Sequence, residues 1–118
     1  MTIPQESGFC IDLHCHSTAS DGALSPELLV ERAQARGVTH LALTDHDTVA
    51  GLCPAASAAE QAGRSLITGT ELSCLWHSQT IHIVGLDFDL QDTGFHEALE
   101  RQSNNRWSRA RAIADKLT

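Results

Sequence analysis

Residues 38–47, Val-Thr-His-Leu-Ala-Leu-Thr-Asp-His-Asp, run from an apolar stretch straight into a polar cluster. The stretch 38–43 is short and apolar, the pattern of a buried strand. It stops at Thr44-Asp45-His46-Asp47. Two acids and a histidine at the end of a buried strand are costly unless they are paired or bound to a cation. The plain alternative is that they cap the next segment.

Upstream, residues 9–15 read as a strand, with Phe9, Ile11, Leu13 and Cys15 alternating with Cys10, Asp12 and His14. Ser-Thr-Ala-Ser-Asp-Gly at 17–22 is loop chemistry. Ser25-Pro26-Glu27 then opens a helix with a capping serine, proline at its first position and an acid near its positive end. Leu28, Leu29, Ala33 and Ala35 give that helix an apolar side, and Gly37 ends it. Downstream, a second helix is expected over 54–62, closed by Gly63. A third strand begins over 66–68, and two more follow at 72–76 and 80–86. The short polar link His77-Ser78-Gln79 between the last two suggests a hairpin. A long helix should start near Asp92 or Thr93 and run to the end, with Phe95, Leu99, Trp107, Ala110, Ile113, Ala114 and Leu117 on its buried side. This alternation of strands and helices implies a parallel α/β sheet or barrel. Such folds carry their chemistry at the carboxyl ends of the strands.

The chain's 118 residues suffice for one small domain with one modest core. No apolar run is long enough to span a bilayer. Residues 1–8 lack the basic-then-apolar pattern of a signal peptide, so the expected location is the cytoplasm. Cys10, Cys15, Cys53 and Cys74 form no CxxC pair, which fits free thiols in a reducing compartment. The net charge of −7 argues against broad attraction to nucleic acid, and no DNA partner is expected. Arg101, Arg106, Arg109, Arg111 and Lys116 nevertheless crowd the last 18 positions, leaving room for a local site for a phosphorylated ligand.

Polar groups fall where the strands end. His14 and His16, two apart on a strand, share a face and can converge on one ion. Asp12 lies on that face too and can hold an imidazole tautomer. Cys15, between the histidines, points away from them. The bland reading of His14-Cys15-His16 is a pair of surface histidines, and that of Ser20-Asp21-Gly22 is a turn. Glu71 follows Gly69-Thr70 directly after an apolar strand and, as a carboxylate, is able to bridge two ions. His82 faces opposite to Ile81 and Ile83, with an ordinary core or surface histidine as its alternative. His40, His77 and His96 lack such placement. Taken together, four histidines and two carboxylates at strand ends or on strand faces form a mixed nitrogen and oxygen set that suits Mn, Fe or Zn better than Mg or Ca.

Four stretches carry a resemblance: DLHCHSTASDG at 12–22, LTDHDT at 43–48, GTELS at 69–73 and IHIVGLDFD at 81–89. In this order they resemble the PHP (polymerase and histidinol phosphatase) family. The segment 76–89 and the arginine-rich last helix look most like the family's bacterial branch of 3′,5′-nucleoside bisphosphate phosphatases and 5′-to-3′ exoribonucleases. The resemblance implies the N-terminal part of a distorted (β/α)7 barrel with three divalent metal ions at its mouth, manganese foremost. It implies that His14 and His16 serve the first metal, Asp21 and His46 the second, Glu71 the first and third together, and His82 the third. Arg106 and Arg109 match a stretch that contacts the substrate's phosphate; three residues apart on a helix, they share a face, and guanidinium suits phosphate. Their alternative is a solvated helix face.

The implied activity is metal-dependent hydrolysis of phosphate esters. The expected substrates are nucleoside 3′,5′-bisphosphates or the 5′ ends of short RNA, with the proton carrier left open between Asp21, Asp45 and a residue outside this stretch. A histidinol-phosphate phosphatase would share the metal motifs. A non-catalytic PHP module supporting a partner protein would show eroded ligands, and every ligand position covered here is filled. The family's barrel draws further strands and ligands from a second half that these residues do not supply. The expectation is therefore one portion of a PHP domain over 1–118, inactive on its own.

Overall fold

The computed structural model describes residues 8–117. They belong to two compact units, one ending at Phe88 and the other beginning at Asp89.

In the first unit, β1 (Ile11–Asp12), β2 (His40–Ala42) and β3 (Leu66–Ile67) form a parallel sheet in the order β1-β2-β3. Helix α1 (Pro26–Ala35) connects β1 to β2, and α2 (Leu52–Gln61) connects β2 to β3. This is the expected βαβαβ order, with α1 and α2 packed together. Next, β4 (Gly69–Trp76) and β5 (Gln79–Leu86) pair antiparallel over their full length, Gly69 opposite Leu86 and Trp76 opposite Gln79. Their link is a two-residue turn, His77 and Ser78, with φ of 48° and 64°. Positive φ at both positions matches the right-handed strand twist, although glycine or asparagine would adopt it with less strain. A parallel bridge between His46 and Glu71 ties the end of β2 to β4.

Local chemistry explains the element ends. Ser25 Oγ accepts the Leu28 N–H and caps α1, and Gly37 leaves the helix at φ 80°. The buried face of α1 differs from the expected one. Pro26 and Val30 are buried, whereas Leu28 is exposed and so is Ala35. The 3.6-residue period selects the row 26-30 and sets 28 and 35 off it. Helix α2 begins at Leu52, ahead of Pro54, because proline is tolerated in a first turn whose N–H groups lack helical partners. β1 is shorter than expected. Its neighbours remain tied to β2 by Thr39 N–H to the Cys10 carbonyl at 2.8 Å and Thr44 N–H to the Cys15 carbonyl at 2.8 Å.

β4 starts earlier than expected, so Glu71 lies within a strand and not after one. Gly69 permits this, since a Cβ there would lie 2.6 Å from the Leu43 carbonyl oxygen. The core of this unit is Val30, Leu41, Ala42, Leu43, Leu52, Ala55 and Ala59. Leu43, 1% exposed, is the most buried of its three leucines, and truncating it to alanine would cost about 2–5 kcal/mol.

The second unit is dominated by α3 (Thr93–Leu117), where Asp92 Oδ1 accepts the Phe95 N–H at 3.0 Å. The expected buried side is largely uncovered: Trp107, Ile113 and Leu117 are exposed, as are Ala110 and Ala114, and Leu99 is buried. Helical period alone marks a stripe; burial needs an opposing surface. Among the described residues no helix is long and apolar enough to cross a membrane.

Candidate metal centre

The carboxyl ends of β1 and β2 and the facing surface of the β4–β5 hairpin bring six side chains together. His14 and His16 follow β1, Asp21 sits in the loop after them, and His46 follows β2. Glu71 comes from β4 and His82 from β5. Glu71 opposes Val84 and Ser73 opposes His82, so Glu71 and His82 occupy one face of the hairpin.

The donor atoms fall into three overlapping groups: His14, His16 and Glu71; His16, Asp21 and His46; and His46, Glu71 and His82. Glu71 Oε2 lies 2.9 Å from His14 Nε2, 2.7 Å from His16 Nε2 and 3.9 Å from His46 Nε2, and Glu71 Oε1 lies 4.0 Å from His82 Nδ1. Asp21 reaches His16 Nδ1 at 2.7 Å and His46 Nε2 at 3.4 Å. All six residues singled out in the sequence as metal donors are therefore neighbours. Two of the groups share His16, two share His46 and two share Glu71.

Both nitrogens of His16 face a carboxylate at 2.7 Å. A neutral imidazole carries one N–H, so it donates to one carboxylate and turns a lone pair toward the other. A cation between lone pair and carboxylate converts that repulsion into two attractions. Four imidazoles and two carboxylates thus fit a divalent transition metal by donor chemistry as well as by proximity.

Burial pushes the Glu71 carboxyl up, but the hydrogen bond from His14 and the charges of His46, His14 and His16 outweigh it and hold it below the ordinary value. The His16 hydrogen bond, aided by the charges of His46 and His16, likewise holds Asp21 below its ordinary value.

Other expectations change here. The Asp12 carboxylate accepts the His14 backbone N–H at 3.1 Å, not an imidazole N–H, because its short side chain closes a local turn two residues on. Cys15 points away from the donors, as expected, and donates to the Ala42 carbonyl at 3.2 Å. Burial, with Asp12 and Asp45 nearby, pushes its thiol up to about 12. All four cysteines are free thiols. Asp45 is 2% exposed and accepts three hydrogen bonds, from Ser17 N–H, Ser17 Oγ and Ser20 Oγ, each at 2.7 Å. A carboxylate so enclosed has no open route to a substrate, which removes it as a proton carrier.

Asp47, in the left-handed region at φ 53°, accepts the Ser73 N–H at 2.8 Å, and Ser73 Oγ lies 3.3 Å from His82 Nδ1. In the sequence Ser17 and Ser20 read only as loop and turn residues and Ser73 as a strand residue, because serines in loops and strands carry no distinguishing signal. Arg106 and Arg109 stand on exposed turns of α3 in the second unit. His40, His77 and His96 lie outside the three groups; His40 Nδ1 sits 2.9 Å from Thr39 Oγ1.

The PHP domain profile matches residues 12–114. A 5′-3′ exoribonuclease of Haemophilus influenzae is 55% identical over 106 residues, covering 90% of this chain and 39% of that protein. A 3′,5′-nucleoside bisphosphate phosphatase of Chromobacterium violaceum is 44% identical over 107 residues, covering 91% and 38%. A crystal structure of a candidate metal-dependent phosphoesterase from Bifidobacterium adolescentis superposes with a TM-score of 0.80 at 31% identity, covering 91% of this chain and 37% of that one. The chain thus spans less than two-fifths of the length of each. With four motifs, six converging donors and a matching fold, this chain belongs to the PHP domain family.

Proposed function

We propose that this chain carries part of the active centre of a metal-dependent phosphoesterase. Its substrates are nucleoside 3′,5′-bisphosphates or the 5′-phosphorylated ends of short RNA. The observation that carries this reading is the arrangement of Glu71 among His14, His16, His46 and His82, with Asp21 closing the group between His16 and His46. Relatives with exoribonuclease and bisphosphate phosphatase activity in their names support the substrate class. No observation favours histidinol phosphate, and the filled donor positions of this portion speak against a non-catalytic module.

His14, His16 and Glu71 would hold one ion, His16, Asp21 and His46 a second, and His46, Glu71 and His82 a third, with manganese, iron or zinc as the candidates. Such ions supply an activated water and offset charge on phosphoryl oxygens. The protein's own part is to keep the donors deprotonated and aimed. Glu71 and Asp21, both held below their ordinary values, stay ionised through the neutral range. Arg106 and Arg109 would bind phosphate as paired guanidinium groups on one helical face.

The test is a substrate panel on the intact protein supplied with Mn2+: adenosine 3′,5′-bisphosphate, a 5′-phosphorylated oligoribonucleotide, histidinol phosphate and p-nitrophenyl phosphate. Preference for either of the first two supports the proposal. Preference for histidinol phosphate, or no hydrolysis with ions bound, overturns it.

A further inference from the structure

Asp21 is an exposed loop residue, yet its carboxylate is placed between two imidazoles. The reason lies beneath it. Ser17 and Ser20 frame the turn, and both donate to the buried Asp45 carboxylate at 2.7 Å, Ser17 through its N–H and hydroxyl and Ser20 through its hydroxyl. The Ser17 carbonyl accepts the Ser20 and Gly22 N–H groups at 3.1 and 2.8 Å, and Ser17 Oγ accepts the Ala19 N–H at 3.1 Å. Thr18 N–H donates to the Leu24 carbonyl at 2.9 Å.

Two glycines make room. A Cβ on Gly22 would lie 2.1 Å from the His16 carbonyl oxygen, so the loop could not fold back with any other residue there. A Cβ on Gly51 would lie 3.0 Å from Asp45 Oδ2 and 3.1 Å from Ser17 Oγ. The carboxylate therefore has its donors drawn in from one side and a close backbone on another. The Asp45 backbone is tied to β4, where the Glu71 N–H donates to the Asp45 carbonyl at 3.0 Å, and its chain neighbour His46 is itself a donor of the proposed centre.

We propose that Asp45, acting through Ser17 and Ser20, is a positioning residue that locks the 17–22 loop so that Asp21 completes the group it forms with His16 and His46. The proposal rests on the metal-centre reading above. It predicts a selective effect: loosening the clamp weakens the ion held by Asp21 and spares the ions held through Glu71.

The experiment is a Mn2+ titration of the intact protein, read by calorimetry and by the electron paramagnetic resonance of free Mn2+. Asp21→Asn marks which binding class depends on that carboxylate. Ser20→Ala, which leaves the buried aspartate and the core intact, should weaken the same class about tenfold, as expected for a partner one step removed from the ion. Ser20→Thr, retaining the hydroxyl, should restore it. Asp45→Asn should weaken that class further, toward about a hundredfold.

Equal weakening of every class, or unchanged binding in Ser20→Ala, overturns the proposal. If the wild-type protein binds no Mn2+, the metal reading fails by itself. The clamp is then decided in the metal-free protein by the 15N shift of His16 Nδ1 at fixed pH. Movement of that signal in Ser20→Ala and recovery in Ser20→Thr support the clamp, and an unmoved signal overturns it.

Discussion

The end of β2 and the tip of the β4–β5 hairpin place opposite kinds of residue in opposite settings. At the end of β2 polar groups are buried: Thr44, Asp45 and Asp47, with Ser17, Thr70 and Glu71 around them. No buried side-chain nitrogen or oxygen among the described residues lacks a hydrogen-bond partner. At the hairpin tip the apolar Leu75 and Trp76 are 70% and 61% exposed. Burying polar groups requires every donor and acceptor to be matched, so the first region is rigid by necessity, and a change there disturbs several bonds. The tip is held mainly by its backbone ladder and tolerates side-chain changes. Function accordingly gathers where burial is polar.

The largest break of this contrast should come at Glu71. It stands in two of the three groups, whereas Asp21 stands in one. Glu71→Gln is expected to lower phosphoesterase activity more than Asp21→Asn, by more than about 100-fold, beyond what loss of an outer partner costs. It should also remove more metal per protein. The reverse order in metal stoichiometry would contradict the shared role.

Next comes Arg106. A charged hydrogen bond is worth about 1.5–3 kcal/mol, so Arg106→Ala should lower kcat/KM for a nucleoside bisphosphate by about tenfold to a hundredfold. Hydrolysis of p-nitrophenyl phosphate, with no second phosphate to hold, should change much less, and metal content should not change. Equal losses on both substrates would place the arginine at the reacting phosphate; no loss on either would leave it on a solvated face.

A smaller effect separates the thiols. With its thiol pushed up to about 12, Cys15 presents a thiolate fraction of about one in ten thousand at pH 8, far below an ordinary cysteine. Iodoacetamide should therefore modify the exposed Cys10 and Cys53 well before Cys15, as peptide mass spectrometry would follow. Early labelling of Cys15 would mean that its bond to the Ala42 carbonyl is not kept. Smallest of all, Trp76→Ala at the hairpin tip should change stability by no more than about 0.5 kcal/mol in a denaturant titration.

The same contrast explains what the sequence reveals. Element order, the α1 cap at Ser25 and the six candidate donors that the fold brings together are legible because each depends on local residue chemistry or on strand period. The PHP resemblance ties those donors into one centre. The α1 face is misjudged by including Leu28 and Ala35, which composition favours and helical phase excludes. The apolar stripe of α3 gives no information about what, if anything, covers it. The Ser17–Ser20–Asp45 cluster is invisible in the sequence because its partners are 25 and 28 residues apart, and it becomes readable once β2 and the loop are side by side. Asp45 in particular looks like chemistry in the sequence and is buried among serine hydrogen bonds in the fold.

His14, His16, Asp21, His46, Glu71 and His82 are expected to form one metal centre. Metal analysis of the intact protein, wild type beside His16→Ala, tests it most directly, because His16 joins two of the three groups. Bound divalent metal is expected in the wild type, with a clear fall in stoichiometry in the variant, accompanied by loss of phosphoesterase activity. Unchanged metal content with full activity in His16→Ala would contradict it.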